Sequence, residues 1–221
     1  MNPQQFFTAL ANSSFIGCQG NVAITLNGLS VITNNRDPIG HLIQEWILGW
    51  ARSNGINGLA PNTHTQLFPD YFLTDQNGQV HYLEIKTFNQ HASPAFDVAD
   101  FYAFLQDIII DPKKLYADFL IISYSLNNGV LTIHNSKLMK IWEIVGKSQT
   151  NHITCQIRDG IRIQKIRPKT NLQTSDFNGP LDFLQSVQNL LNQNSSTAGN
   201  YQNWLQNVQN SHFNHFKSYI V

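Results

Sequence analysis

Charge is what this 221-residue chain has little of. Only 13% of its residues are charged, and 14 Lys and Arg balance 14 Asp and Glu, giving a formal net charge of zero. That balance excludes a generic polyanion binder of the histone kind, but not an enzyme that gathers its cations into one cleft. Cysteine is nearly absent too: Cys18 and Cys155 stand far apart, with no Cys-His cluster. A disulfide scaffold and a structural zinc site are therefore excluded, and a reducing cytoplasm fits. The N-terminus shows no basic region leading into an apolar core, and no apolar run approaches a membrane span. The expectation is a soluble cytoplasmic protein with no membrane partner. Internal repeats and a Gly-rich phosphate loop are also missing.

In place of charge the chain carries amides, with Asn and Gln making up about one residue in five. Bidentate amides suit adenine edges as Arg suits guanine. Compositional bias of the source genome explains the same enrichment without any contact to bases. The length predicts one domain over 1–221, with a core at about 37–146, a basic hairpin at 153–169 and C-terminal helices at 180–217.

The chain is organised around residues 68–88. Two β-rich runs, 68–73 and 80–88, flank Thr74-Asp75-Gln76-Asn77-Gly78 and predict a hairpin. In the second run Leu83 and Ile85 point to one face, while Glu84 and Lys86 share the other. A two-residue Asn77-Gly78 turn would pair numbers summing to 155 and turn Asp70 away from Glu84. A three-residue loop, with a left-handed Gly78 in a bulge, pairs numbers summing to 154 and sets Asp70 opposite Glu84. Asp75-Gln76-Asn77-Gly78 suits the second loop, and that register is the one expected.

Two carboxylates so placed repel, which strand packing alone does not explain. A hard divalent cation held by oxygen ligands does, and Mg²⁺ commonly takes one or two carboxylates plus waters and phosphate oxygens. A neighbouring lysine would orient water and stabilise charge developing on phosphorus. The plain alternative is a solvated hairpin face.

Pro69-Asp70 followed by Glu84-Ile85-Lys86 at the end of an apolar strand resembles the PD-(D/E)xK nuclease superfamily. Residues 87–101, a polar loop leading into a helix, resemble small type II restriction endonucleases in particular. The resemblance covers about 40–145. It implies a central mixed β-sheet flanked by helices, the restriction-endonuclease-like α/β core. It also implies Asp70 and Glu84 as metal ligands, the backbone carbonyl of Ile85 as a further ligand, and Lys86 as the catalytic lysine. In such enzymes an upstream helix often adds a glutamate, and Glu45 is the candidate here; a solvated helix face is its alternative.

That upstream helix is expected from Asp37 as N-cap and Pro38 at its first position to about Ser53, stopped by Gly55. Ile39, Leu42, Ile43, Trp46, Ile47 and Trp50 form its apolar stripe. Other expectations are a helix at 3–12, a hairpin around Asn27-Gly28, and an Asp97-capped helix from Val98 to about Ile109. Strands follow at 117–124 and 130–134, then a Ser136-capped helix at 137–145 and helices at 180–191 and 201–216 joined by a polar linker at 192–200. Asn89, Gln90 and His91, just after the catalytic strand, are candidates for DNA contact. The densest cations, Arg158, Arg162, Lys165 and Arg167, lie on a predicted ribbon turning at Asp159-Gly160, which fits the major groove; an edge hairpin protected by charge is the alternative.

The expected function is a Mg²⁺-dependent type II site-specific deoxyribonuclease acting on double-stranded DNA. The resemblance implies 5′-phosphate ends, a homodimer on a palindrome and a cognate DNA methyltransferase in the same host. A structure-specific repair or junction-resolving nuclease is the alternative, followed by a non-catalytic DNA-binding module.

Overall fold

The computed structural model describes all residues except 65–66, 160–161 and 195–200. Gly160 and Ile161 of the expected basic turn, and 195–200 of the expected linker, thus lie outside the described residues. In chain order, helix α1 (Pro3–Asn12) precedes β1 (Gln19–Asn21), β2 (Ala23–Leu26), β3 (Leu29–Ile32) and helix α2 (Ile39–Ser53). Next come β4 (Leu59–Pro61), β5 (Tyr71–Thr74), β6 (Val80–Asn89), β7 (Ala99–Asp100), α3 (Phe101–Ile110) and a 3-10 turn (Pro112–Tyr116). The long strands β8 (Asp118–Asn127) and β9 (Val130–Met139) lead to α4 (Ile141–Ile144), β10 (Lys147–Ser148) and β11 (His152–Ile153). Strands β12 (Cys155–Arg158) and β13 (Arg162–Ile166) and helices α5 (Pro180–Gln193) and α6 (Trp204–Phe216) complete the order. No described helix is long and apolar enough to cross a membrane.

Two compact units emerge, 1–94 with 117–139, and 95–116 with 140–221. The first holds a six-stranded sheet in the order β1-β9-β8-β6-β5-β4. Strands β6 and β8 are parallel and the other pairs antiparallel, so the sheet is mixed, as expected. Strand β8 is buried from Phe119 to Leu126, which is why it reads as a continuous apolar run. Helices α1 and α2 flank the sheet: Phe6, Leu10, Ile39, Ile43 and Ile47 pack with Leu83, Ile85, Leu120 and Ile122.

Details of α2 differ from expectation. It starts at Ile39 with Pro38 as N-cap, and proline has no side-chain oxygen with which to cap; Asp37 lies one residue before the cap position, its N–H donated to Asn35 Oδ1 at 3.1 Å. Its buried stripe is Ile39, Ile43, Ile47, Leu48 and Ala51, whereas Leu42 and Trp46 are exposed. The stop at Gly55, with φ +71°, is as expected.

The β5–β6 hairpin takes the register that sums to 154, pairing Tyr71 with Leu83 and Thr74 with Val80. Gly78 is left-handed at φ +77°, and Asp75 Oδ1 accepts the N–H groups of Asn77 and Gln79 at 2.8 and 3.0 Å. Those bonds make the turn, and the turn makes the register. Further along, the helix expected at 137–145 is mostly strand. Ser136, Lys137 and Leu138 pair with Ile122, Ile121 and Leu120, so β9 runs to Met139 and only Ile141–Ile144 is helical. A long buried strand needs a partner along its length, and that outweighs a local cap signal.

In the second unit β12, β13 and β7 form a small sheet, and α3, α5 and α6 pack around buried Phe104, Leu105, Phe183 and Trp204. Trp204 donates its indole N–H to the Leu105 carbonyl at 2.9 Å. Asp100, rather than Asp97, caps α3 by accepting the Ala103 N–H, because Ala99 and Asp100 pair with β13.

Candidate active site

Strand alternation puts Glu84 and Lys86 on the face of β6 opposite the α2-covered core. Lys86 Nζ lies 2.8 Å from Glu84 Oε1. Strand β5 begins at Tyr71, so Asp70 stands just beyond the ladder and bonds to β6 through its side chain. Asp70 Oδ2 accepts the Ile85 N–H at 2.8 Å, and the Asp70 N–H donates to Glu84 Oε2 at 2.9 Å. The hairpin thus ends in a closed ring of bonds that fixes both carboxylates. Asp70, Glu84 and Lys86 are brought together as the pattern in the chain predicts.

Gln44 was not among the candidates, yet it completes the cluster. Its Nε2 donates to Asp70 Oδ2 at 2.9 Å and reaches the Ile85 carbonyl at 3.4 Å. Glycine helps bring it there: a Cβ on Gly40 would meet Thr87 Oγ1 at 3.1 Å, so α2 lies close over β6, and Gln44 follows one turn later. Tyr71 secures the same approach by donating its hydroxyl to the Gln44 carbonyl at 2.9 Å. Glu45, the expected helix contribution, points elsewhere: it sits 3.9 Å from His41, with the two side chains 61% and 68% exposed. The exposure of Leu42 and Trp46 is the sign of the true helix phase, and that phase turns Gln44 rather than Glu45 toward the carboxylates.

Burial dominates the electrostatics. Glu84 is only 6% exposed, and desolvation pushes its carboxyl above the ordinary range; Lys86 opposes this and Asp70 adds to it. Asp70 is raised for the same reason, against the pull of the Ile85 N–H, Lys86, Gln44 and His41. Burial also keeps the Tyr71 phenol protonated, helped by the charges of Glu45 and Asp70. Two carboxyl groups pushed upward side by side form a site that gains from an added positive charge. No group of three His, Cys, Asp or Glu side chains suited to a metal occurs among the described residues. Asp70, Glu84 and the Ile85 carbonyl nonetheless form a donor set of oxygens alone, of the kind a hard cation accepts when water and phosphate complete its shell.

The candidate DNA contacts sort by what already holds them. Asn89 Oδ1 accepts the His91 N–H at 3.1 Å and shapes the turn after β6, while Gln90 and His91 are exposed. Arg167 is tied at 2.7 Å to Asp97 and to the Ala95 carbonyl and Gln156, and Lys165 lies 3.4 Å from Asp100. Arg158 and Arg162, in contrast, are both exposed and stand directly opposite one another across β12 and β13. Like charges directly opposite one another destabilise a strand pair.

The chain as a whole is similar to known restriction endonucleases. A model of the NgoBV restriction endonuclease family matches residues 1–221. The type II restriction enzyme NlaIV of Neisseria lactamica is 31% identical over 227 residues, covering all of this chain and 93% of that enzyme. The type II restriction enzyme NgoBV of Neisseria gonorrhoeae is 34% identical over 146 residues, 65% of this chain and 82% of that enzyme. The solved NlaIV restriction endonuclease superposes with a TM-score of 0.89 at 30% identity, over all of this chain and 92% of its own.

Proposed function

The chain belongs to the NgoBV restriction endonuclease family, and on that premise we propose how its carboxylate cluster cuts DNA. It is a type II restriction endonuclease, a site-specific hydrolase of DNA phosphodiester bonds. Such enzymes in general need a divalent metal ion and act on double-stranded DNA. The observation that carries the proposal is the bonded ring of Asp70 and Glu84 with Lys86 at its edge.

Asp70, Glu84 and the Ile85 carbonyl would hold Mg²⁺, whose chemistry is to polarise the scissile phosphate and favour an ionised water. The chain's own groups do the rest. The Ile85 and Asp70 N–H groups keep the two carboxylates in place. Lys86, fixed by Glu84, positions water for in-line attack and offsets charge building on the phosphate oxygens. In the free protein Gln44 holds Asp70 through its side-chain amide, at the place beside the Ile85 carbonyl that a cation would take. Attack on phosphorus with departure of the 3′ oxygen leaves 5′-phosphate and 3′-hydroxyl ends. Arg158 and Arg162 take backbone phosphates, and Gln90 and His91 meet DNA beside the catalytic strand. Glu45 joins the reading only as an outer residue, acting through water from its place beside His41.

A palindromic site calls for a homodimer, and a host carrying this enzyme for a methyltransferase that protects the same site. The test is a gel of unmethylated phage or plasmid DNA incubated with the protein, with Mg²⁺ or with EDTA. Discrete Mg²⁺-dependent fragments with ligatable 5′-phosphate ends support the reading. Cleavage unaffected by EDTA, or confined to branched DNA, overturns it.

A further inference from the structure

We propose that Asn135 and His134 of β9 contact the DNA backbone beside the cut, so that the site extends across the sheet. The inference rests on the nuclease reading above and adds residues that position the duplex. Register carries the catalytic face from β6 to β9. Lys86 pairs with Ile121 on β8, and Ile121 with Lys137 on β9, so Lys86 and Lys137 share one row of one face. The next row is Phe88, Ser123 and Asn135, and the row after it Ser125, Thr132 and Gln19 of β1. The opposite face is core, where Leu120, Ile122 and Tyr124 lie with Ile133. Between Ser123 and Tyr124 the pairing passes from Asn135 to Ile133, which makes His134 the extra residue of a β-bulge.

The bulge puts two successive side chains on the catalytic face. His134 Nε2 lies 2.8 Å from Ser125 Oγ, and Asn135 stands opposite Ser123. Bulges beside active sites re-aim side chains in this way. Along β8 the same face changes from apolar, at Phe119 and Ile121, to hydroxyl, at Ser123 and Ser125, which are only 6% and 5% exposed. Asn135 and Gln19 are exposed and His134 is half-buried. A face that served as core alone would stay aliphatic throughout, as the opposite one does.

Continuity and charge point to DNA as the occupant. This face holds Glu84 and Lys86 on β6, while β8, β9 and β1 add no carboxylate to it. Amide and hydroxyl side chains make a large share of protein contacts to phosphate oxygens and sugars. Two strand spacings of about 4.8 Å and two residues of about 3.3 Å put Asn135 roughly 12 Å from Lys86. That is about three to four base pairs of duplex at ~3.4 Å each. A strand whose scissile phosphate sits at Lys86 therefore has backbone to offer Asn135 within the same bound stretch.

The experiment uses the full chain and a short labelled duplex carrying a cleavage site mapped on plasmid DNA. Fluorescence anisotropy in EDTA gives Kd, and cleavage in Mg²⁺ gives KM and kcat, for wild type, Asn135→Ala, Asn135→Asp and His134→Ala. Thermal melts check folding, and the exposed Asn135 supplies the variants if His134→Ala does not fold. Asn135→Ala is expected to raise Kd and KM about 3–10-fold, the effect of one neutral hydrogen bond. The salt slope stays as in wild type, because a neutral contact releases no counterion. Asn135→Asp is expected to raise Kd by more than about 10-fold, since a carboxylate is repelled by phosphates. Folded Asn135 variants with wild-type Kd and KM, or with a loss in kcat alone, overturn this surface and leave the nuclease reading standing. A wild type that cuts no plasmid overturns both.

Discussion

Replacing Asp70 by Asn is expected to make the metal-free protein more resistant to heat while abolishing cleavage. Asparagine keeps the carbonyl oxygen that accepts the Ile85 N–H and the Gln44 amide, and removes only the charge. Burial is the largest influence on both carboxyls and raises both. An acid raised by folding favours the fold when protonated, and that contribution is lost as pH rises through the raised range. Wherever Asp70 is ionised in the fold, the wild type therefore bears an unfavourable charge that the variant lacks. In a chain of this size each kcal/mol moves Tm by about 2–4 °C, so a rise of a few degrees is expected in EDTA. Mg²⁺ should reverse the ranking. A ligand at 100 times its Kd adds about 2.7 kcal/mol, or roughly 5–10 °C, to the wild type and little to the variant. The assay is a thermal melt at neutral pH in EDTA and in Mg²⁺, beside a plasmid digest. A variant that melts below wild type in EDTA, or gains as much from Mg²⁺, would refute the account of the pair.

Lys86→Ala should lower the cleavage rate by about 10²–10³-fold, the usual effect of losing one group that stabilises transition-state charge, with DNA retained in a gel shift in EDTA. Gln44→Ala removes a donor from a partly buried carboxylate and should lower stability by about 1–3 kcal/mol without metal; a larger Mg²⁺-induced rise in Tm than in wild type is the second signature, and unchanged melts would remove Gln44 from the site. Arg158→Ala and Arg162→Ala should each reduce the salt slope of DNA binding by about one. Arg167→Ala, whose guanidinium is held by Asp97, should leave the slope alone and cost about 1 kcal/mol or less of stability. The acid limb of the cleavage profile should lie above the ordinary carboxylate range at limiting Mg²⁺ and move to lower pH as Mg²⁺ is raised, because the cation binds the ionised pair; a limb indifferent to Mg²⁺ would argue against Asp70 and Glu84 as its holders.

The heart of the site was legible because its geometry is local. Asp75-Gln76-Asn77-Gly78 dictates a turn, the turn dictates a register, and strand parity then decides which residues meet Asp70. Gln44 was hidden because nothing local sets the rotation of α2. Counting Leu42 and Trp46 as buried turns the helix toward Glu45, and only packing on β6 corrects it. Asp97 and Asp100 carry the same capping signature three residues apart, and pairing with β13, distant in sequence, selects the later one. Ser136 illustrates the same limit: its cap signal is sound, but β8 requires a partner where the helix would have begun.

Gln44 also has a consequence for the order in which the enzyme assembles. In the free protein its amide hydrogens already occupy the space between Asp70 and the Ile85 carbonyl, as a neutral placeholder for a cation. An ion arriving alone must displace that placeholder and gains only the protein's few oxygens in return. An ion arriving with DNA gains phosphate oxygens as well. On the proposed reading, metal and substrate would then reinforce one another's binding through thermodynamic linkage, and the ion would be held weakly until a duplex is seated.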